Sequence, residues 1–278
     1  MKKPYLVSVI CLVYNNEDQF KETFQSILRA TSNLENLIEI IVIDSSTLSI
    51  AHANKQFMLS CSSPKYSVRH VTSQPKGIYP AMNLSLSLAK GLYLNFMNSG
   101  DIYHRCFHFS NVLPIIQDLI SFSTSFNSLP TLLYGRTLVQ SCISSLEYLN
   151  PPRNVAPHRR TLWNKVIPPG HQSCLFLRSW HLDNPYLVDK GSAADRFVIL
   201  SSISNSVFLD IIVADFRLSG LTSLNNLKPS QYFSYFIQLR ALIPILGFWP
   251  KVFFKHILRS RWEYLRLLRL QILSFLLF

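Results

Sequence analysis

Two aspartates, Asp44 and Asp101, close short apolar runs in the segments IEIIVID and LYLNFMNSGD, with few other charges near them in sequence. Carboxylates so placed suit a division of labour around a nucleotide: one accepts hydrogen bonds from base or ribose, and the other ligates a hard divalent cation on a diphosphate. The plain alternative is that each caps the turn or helix after its strand, a common task for aspartate, and spacing alone does not separate the two. Asp195, in SAADRFVIL, stands at a predicted helix start, where an acid complements the helix dipole. His171 reads either as a satisfied histidine at a strand entry or as a neutral imidazole near diphosphate or metal. Asp183 and Asp189 read as loop residues. His104, Cys106 and His108 alternate in a way that invites zinc, but their spacing fits no common zinc pattern and their side chains would diverge, so they read as structural.

The elements that must position these groups are legible around them. In KGIYPAMNLSLSLAKGLYLNFMNSGD, Gly77 frees a turn and Pro80 falls in the first turn of a helix, where a missing amide hydrogen costs nothing. That helix is expected to run to about Lys90, with Ala81, Met82, Leu84, Leu86, Leu88 and Ala89 as its buried face and Gly91 ending it in the left-handed conformation. Leu92 to Met97 reads as an interior strand with Asn98-Ser99-Gly100-Asp101 leaving its carboxyl end. Leu6 to Val13 and Ile38 to Ile43 repeat the pattern, running into Tyr14-Asn15-Asn16 and Asp44-Ser45-Ser46-Thr47, with a helix from Glu17 to Arg29 between them. Alternating strand and helix implies a parallel sheet whose polar strand ends gather along one edge, where ligands of open α/β sheets sit.

These residues resemble a known family. VSVICLVYNN, IEIIVIDSST, SQPKGIYPAMNLSLSLAKGLYLNFMNSGD, LLYGRTL, PPGHQSCLFLR and SAADRFVIL follow one another as in glycosyltransferase family 2, particularly its bacterial capsular, colanic-type or lipopolysaccharide sugar transferase branch, over about residues 5 to 220. The resemblance implies the GT-A nucleotide-diphospho-sugar transferase fold, a Rossmann-like, mostly parallel sheet flanked by helices. It also implies an inverting transfer of a sugar from a nucleoside diphosphate with Mg2+ or Mn2+ as cofactor. Carried over residue by residue, Tyr14 and Asn15 lie against the nucleotide and Asp44 contacts base or ribose. Lys76, Gly77, Tyr79 and Asn83 frame the donor sugar and its phosphates. Asn98 and Ser99 belong to the donor site, Asp101 matches the last position of the metal motif, His171-Gln172 matches a His-Gln pair, and Asp195 sits where the general base lies. The chain departs from the pattern in having Pro80 and Leu48 where the family carries acidic or flexible positions, and Asn98 where a first carboxylate stands.

Composition bounds the remainder. At 278 residues and 48% hydrophobic, the chain can bury a large α/β core, read as a catalytic domain over 1–225 with a nucleotide half (1–101) and an acceptor half (102–225). Five scattered cysteines without a CxxC fit a reducing, cytoplasmic compartment. The apolar run in MKKPYLVSVICLVYNN is short and lacks a small-residue cleavage site, so it reads as a core strand rather than a signal peptide.

The net charge of +12 is unevenly spread: from Lys228 onward eight Lys and Arg face Glu263 alone, a net of +7. Within 226–278 these cations interleave with Phe, Trp, Tyr and Leu, and the uncharged run Ala241 to Pro250 falls short of the ~20 apolar residues a bilayer requires. Two readings stay open: amphipathic helices on the anionic inner face of a membrane, or helices that cover the catalytic domain or form a homodimer interface. The membrane reading agrees with a glycan or polyprenyl-linked acceptor, whose anionic head the basic stretch Arg153 to Lys165, with Arg159 and Arg160, would meet. Nucleic acid is a poorer partner for charges set among large apolar side chains. The rival from another class is a non-catalytic nucleotide-sugar or membrane-surface binding protein on the same fold. A nucleotidyltransferase would show a glycine-rich N-terminal loop, which VICLVYNNEDQF lacks.

Overall fold

The structure is a computed structural model and describes residues 4–63, 66–123, 128–140, 147–151 and 168–217. The basic stretch at 153–165, the domain boundary at 225 and the tail 226–278 lie outside the described residues.

Strand β1 (Val7–Val13) is flanked by two parallel neighbours, β2 (Ile38–Asp44) and β4 (Tyr93–Asn98), and β3 (Ser67–Thr72) adds outside β2. Strands β1, β2 and β4 are largely apolar on both faces because helices cover both. Val7, Val9, Cys11 and Val13 face one core with Phe20, Phe24 and Ile27 of α1 (Glu17–Ala30), Met58 of α2 (Leu48–Cys61) and Ile116 of α4 (Leu113–Phe122). The alternate positions Ile10 and Leu12 face a second core with Met82 and Leu86 of α3 (Ile78–Leu88) and Val198 and Ile199 of α6 (Ala194–Ser202), which follows the short helix α5 (Arg178–Asp183). Helix α1 is the most legible: Asn16 caps it, Glu17 and Asp18 stand in its first turn and Arg29 in its last.

The register aligns the polar strand ends as expected, for Val13 pairs with Asp44, Asp44 with Thr72 and Leu12 with Asn98. Beyond β4 the sheet is mixed rather than parallel. β8 (Cys174–Leu177) runs antiparallel to both β4 and β6 (Leu132–Gln140), and β9 (Ser206–Arg217) is parallel to β6. Two short strands, β5 (Ile102–Tyr103) and β7 (Glu147–Asn150), complete a nine-stranded sheet among the described residues.

One expectation is corrected. Helix α3 ends at Leu88, not near Lys90, and Gly91 does not adopt the left-handed conformation. The stop comes from charge and hydrogen bonding instead: Arg69 donates to the Leu88 carbonyl at 2.6 Å, and the buried Glu39 carboxylate accepts the Ser8 hydroxyl at 2.6 Å, the main chain at Lys90 and Gly91, and Arg69 at 2.9 Å. Glycine is required at 91 by contact, since a Cβ there would lie 2.4 Å from the Ser8 amide nitrogen and 2.6 Å from the Val7 carbonyl carbon. Gly91→Ala must therefore move β1 or the turn, and it is expected to cost about 1–3 kcal/mol in urea denaturation, as overpacking typically does. A variant as stable as the original would show that the turn yields freely.

Candidate functional site

Asp44 ends β2 with its carboxylate fully buried and closely engaged. Oδ1 accepts the Ser46 amide at 2.9 Å, while Oδ2 accepts Asn54 Nδ2 at 2.9 Å and lies 3.1 Å from His70 Nε2. Burial pushes this carboxyl up, but the hydrogen bonds from His70, Ser46 and Asn54 together outweigh it and hold the group at about 2. The Asx turn at Ser46 is the capping role, and it shapes the loop around it. Asn15, at φ 47°, donates its main-chain amide to the Ser46 hydroxyl oxygen at 2.8 Å and accepts the Thr47 amide on its Oδ1 at 2.9 Å, so the loops after β1 and β2 are tied together. Tyr14 stands on that tie 60% exposed.

Asp101 lies in the opposite environment. Its carboxyl is buried beyond the end of β4, and burial raises it to about 6 against the lowering hydrogen bonds from Gln172 and from the main chain and side chain of Asn98. The turn that carries it is fixed from α1: Thr23 Oγ1 donates to the Asp101 carbonyl at 2.8 Å and accepts the Gly100 amide at 2.9 Å. Gly100 takes φ 104°, a region glycine enters at little cost. Ser99 gives its hydroxyl to the Asn16 carbonyl at 3.3 Å and its amide to Leu12 at 2.8 Å. Asn98 holds a buried Oδ1 with no hydrogen-bond partner in the protein. Such an oxygen carries a penalty of roughly 1–3 kcal/mol unless something else meets it. Among the described residues no three His, Cys, Asp or Glu side chains gather into a metal cage.

A third group faces these from the second half of the sheet. Asn95, buried mid-strand in β4, donates to the Gln172 carbonyl at 3.0 Å and the Cys174 carbonyl at 2.8 Å, which sets the 3-10 turn His171–Ser173 against the end of β4. Gln172 then reaches Asp101, and His171 Nε2 pairs with the Tyr186 hydroxyl at 2.7 Å. His171 packs among Phe96, Phe176 and Tyr186, and burial lowers it to about 4, so it is a neutral imidazole at physiological pH. Tyr186 in turn stacks on Tyr79, rings 5.6 Å apart at 30°. The Tyr79 hydroxyl and the Asp195 carboxylate interact, and burial raises Asp195 above the usual carboxylate range.

Most of the residues expected at the site therefore fall into two linked groups along the carboxyl edge. Asn98, Asp101, His171, Tyr79 and Asp195 form one chain of contacts through Gln172 and Tyr186, and Tyr14, Asn15 and Asp44 form the other. The register sets Asp44 and Asn98 two strands apart, roughly 10 Å. Lys76 and Gly77 lie exposed on the turn into α3, Gly77 at φ 104°. Asn83 is placed differently from a ligand contact: Nδ2 donates to the Tyr186 carbonyl and Oδ1 accepts the Tyr186 amide, both at 2.9 Å. His104 pairs with Asp215 at 2.6 Å, and His108 with Ser32 at 3.0 Å and Ser110 at 2.8 Å, so each histidine has a structural partner. The residues not foreseen are His70, Asn54, Asn95 and Tyr186. Only Asn95 left a signal, a polar residue at an inward position of an apolar strand.

Comparisons with known proteins bear on the fold. Residues 8–118, which run from the second residue of β1 through β4 and the turn to Asp101, match the model of Glycosyl transferase family 2. No curated protein matches. Among solved structures, S. aureus TarS 1-349 aligns with a TM-score of 0.55 at 18% identity, covering 76% of this chain and 60% of that one. The same protein in complex with UDP-GlcNAc aligns with a TM-score of 0.53 at 16% identity, covering 87% and 66%. The mannosyltransferase PcManGT from Pyrobaculum calidifontis, in complex with GDP-Man and Mn2+, aligns with a TM-score of 0.49 at 16% identity, covering 77% and 58%. The chain thus spans less than two thirds of the length of the structures it matches first. At these identities the likeness to the TarS structures is one of fold.

His181 joins His171 in the aromatic cluster, its ring 4.8 Å from that of Tyr186, and burial lowers it too to about 4. A histidine depressed in the folded state contributes stability that is present above its unfolded value near 6.5 and is lost as pH falls through the folded value. Urea denaturation from pH 7 to pH 4 should show stability falling by about 3 kcal/mol or more through these two coupled rings. His181→Phe should shed part of that slope. Because Asp101 and Asp195, raised by burial, gain stability as they protonate over the same window, the test is a difference: equal slopes in the unchanged chain and in His181→Phe would contradict the buried neutral pair.

Proposed function

We propose that this chain is an inverting glycosyltransferase that moves a sugar from a nucleoside diphosphate to a glycan or lipid-linked acceptor. The observation that carries the reading is the convergence of Asp101, Asn98 and the His171-Gln172 turn at the carboxyl edge of the sheet, within and beside the segment that matches the family 2 model. The nucleotide is assigned to the side of Tyr14, Asn15 and Asp44. With its carboxylate already holding Ser46, Asn54 and His70, Asp44 acts there chiefly by keeping the two loops in register. Lys76 and the Gly77 turn frame the donor phosphates.

The residues around Asp101 fit a hard divalent cation such as Mg2+ or Mn2+. They offer oxygen donors only, a carboxylate held at about 6 and the partnerless Asn98 Oδ1, and leave the remaining positions to diphosphate oxygens and water. Bound there, such an ion supplies charge neutralisation of the departing diphosphate. The neutral imidazole of His171 adds no competing positive charge, and Gln172 keeps the Asp101 carboxylate oriented. On the acceptor side, Asp195 takes the hydroxyl proton as the acceptor oxygen bonds to the anomeric carbon and the bond to the diphosphate oxygen breaks. Its raised proton affinity suits a general base. One displacement of this kind inverts the anomeric centre.

The location proposed is the inner face of the cytoplasmic membrane, supported by the basic, apolar composition of 226–278. No helix among the described residues is long and apolar enough to cross a membrane.

A thermal-shift screen of UDP, GDP, TDP and CMP sugars with and without Mn2+ tests the donor and the ion together. One nucleotide class should raise Tm further when Mn2+ is present, and Asp101→Asn should remove the Mn2+-dependent part. Asp195→Asn should keep donor binding and lose about 10²–10⁴-fold in transfer rate. Stabilisation by no donor, or undiminished transfer by the Asp195 variant, would defeat the respective assignment.

A further inference from the structure

Helix α1 turns Phe20, Phe24 and Ile27 into the core, and along a neighbouring line it carries a polar series, Asn16 at its cap and then Gln19, Thr23, Ser26 and Arg29, at spacings of three and four. The series meets a single stretch of chain, the one that leaves β4 through Asp101. The Asn16 carbonyl accepts the Ser99 hydroxyl at 3.3 Å, and a Cβ on Gly100 would lie 2.8 Å from Gln19 Oε1, so the turn packs against the start of the helix. Ser26 Oγ accepts the Tyr103 amide at 3.2 Å, and Arg29 donates to the carbonyls of Tyr103 at 2.7 Å and Arg105 at 2.8 Å.

Thr23 differs from the others in what it grips. It is fully buried, and its hydroxyl is used in both directions, accepting the Gly100 amide at 2.9 Å and donating to the Asp101 carbonyl at 2.8 Å. These two groups bracket the peptide between Gly100 and Asp101, and the torsions they enclose set where the Cα–Cβ bond of Asp101 points. The turn adds its own closure, for the Asp101 amide donates to the Asn98 carbonyl at 2.9 Å and Asp101 Oδ2 accepts the Asn98 amide at 3.3 Å. That last bond is long and restrains the carboxylate weakly, so its aim depends on the main chain that Thr23 clasps. Ser26 and Arg29 act farther along, where β9 also supports the chain: Tyr103 pairs with Ala214, and the His104 amide donates to the Val213 carbonyl at 2.9 Å.

We propose that Thr23 is a positioning residue for the ion side of the donor site: by clasping the peptide at 100–101 it keeps the Asp101 carboxylate in register with the partnerless Asn98 Oδ1, so that both oxygens serve one hard cation. The proposal rests on the assignment of Asp101 as an ion ligand. The Thr23 hydroxyl is committed to the main chain and acts through Asp101. Because the same helix begins directly after Tyr14 and Asn15, the nucleotide side and the ion side of the site share one rigid support.

The experiment uses the full chain and reads the Mn2+ concentration that half-saturates the rise in Tm at fixed UDP, GDP or TDP, alongside urea stability without metal. Thr23→Val, which keeps the volume and drops the hydroxyl, should raise the Mn2+ requirement about 10–100-fold, the range typical when the support of a metal ligand is removed, and leave stabilisation by nucleotide alone unchanged. Thr23→Ala, a second variant without the hydroxyl, should do the same. Thr23→Ser, which returns the hydroxyl without the methyl, should recover the original requirement. Ser26→Ala, the control on the same face of α1, should lose stability in urea and keep the original requirement. An unchanged Mn2+ requirement in Thr23→Val or Thr23→Ala, no recovery in Thr23→Ser, or an equal rise in Ser26→Ala would overturn this inference and leave the transferase reading intact. If the Mn2+ effect is absent with all three nucleotides, or survives Asp101→Asn, the ion assignment falls and this inference with it.

Discussion

The arrangement of the site depends on one buried amide. Asn95 sits in the middle of β4, where every neighbouring position is apolar, and both ends of its side chain are satisfied: Nδ2 donates to the carbonyls of Gln172 and Cys174, and Oδ1 accepts the Tyr103 hydroxyl. A polar side chain in such surroundings is tolerated only when fully hydrogen bonded, and this makes its geometry stringent. Because β8 runs antiparallel to β4, the chain entering β8 could pass the end of β4 at several depths. Asn95 selects one. The selection places Gln172 at Asp101 and His171 at Tyr186, and from Tyr186 the contacts continue to Asn83, Tyr79 and Asp195.

Two aspartates at the ends of parallel strands separated only by β1 thereby acquire opposite properties. Asp44 is met by three donors and held near 2, so it is permanently charged and has little left to offer a ligand. Asp101 is as deeply buried but has weaker compensation, and stands near 6. The difference follows from what each adjoining element supplies. Helix α2 and strand β3 bring Asn54 and His70 to Asp44. The Asp101 turn instead meets Thr23 through its main chain, and the bonds the carboxyl group takes from Gln172 and Asn98 do not offset its burial. A carboxylate kept so is destabilised until a cation or a proton arrives, whereas one kept like Asp44 organises a loop.

The parts of this fold that periodicity could reveal were legible. Helix α1 runs over Glu17–Ala30 against an expected 17–29, the three first-read strands shift by no more than one residue at either end, and the shared polar edge follows from their parallel register. The end of α3 was misread because Gly91 satisfies two different demands, left-handed backbone and close approach, and sequence does not say which. The mixed half of the sheet escaped because antiparallel insertion of β8 is decided by long-range pairing with β4 and β6 rather than by local pattern. Among candidate site residues, those whose type announces chemistry could be named from the sequence: the aspartates, His171 and the strand-end asparagine. Those that act by holding another residue were missed, as Asn54, His70 and Tyr186 look ordinary in sequence and gain meaning only from partners 10 to 26 positions away or in another element.

The departures from the family pattern take on physical sense in this setting. Leu48 opens α2 86% exposed, and Thr47 before it gives no side-chain cap, so no acid or flexible run shapes this turn; Asn15 and Ser46 close it by direct hydrogen bonds. Pro80 has a related consequence at α3. That helix has no acid in its first turn and no side-chain cap at Gly77, so nothing within it offsets the positive field of its amino end. The carboxylate that approaches this first turn is Asp195, brought from α6 by its contact with Tyr79. An acid at position 80 would have placed a second negative charge in the same turn as that contact. With proline there, the first turn of α3 carries no charge of its own.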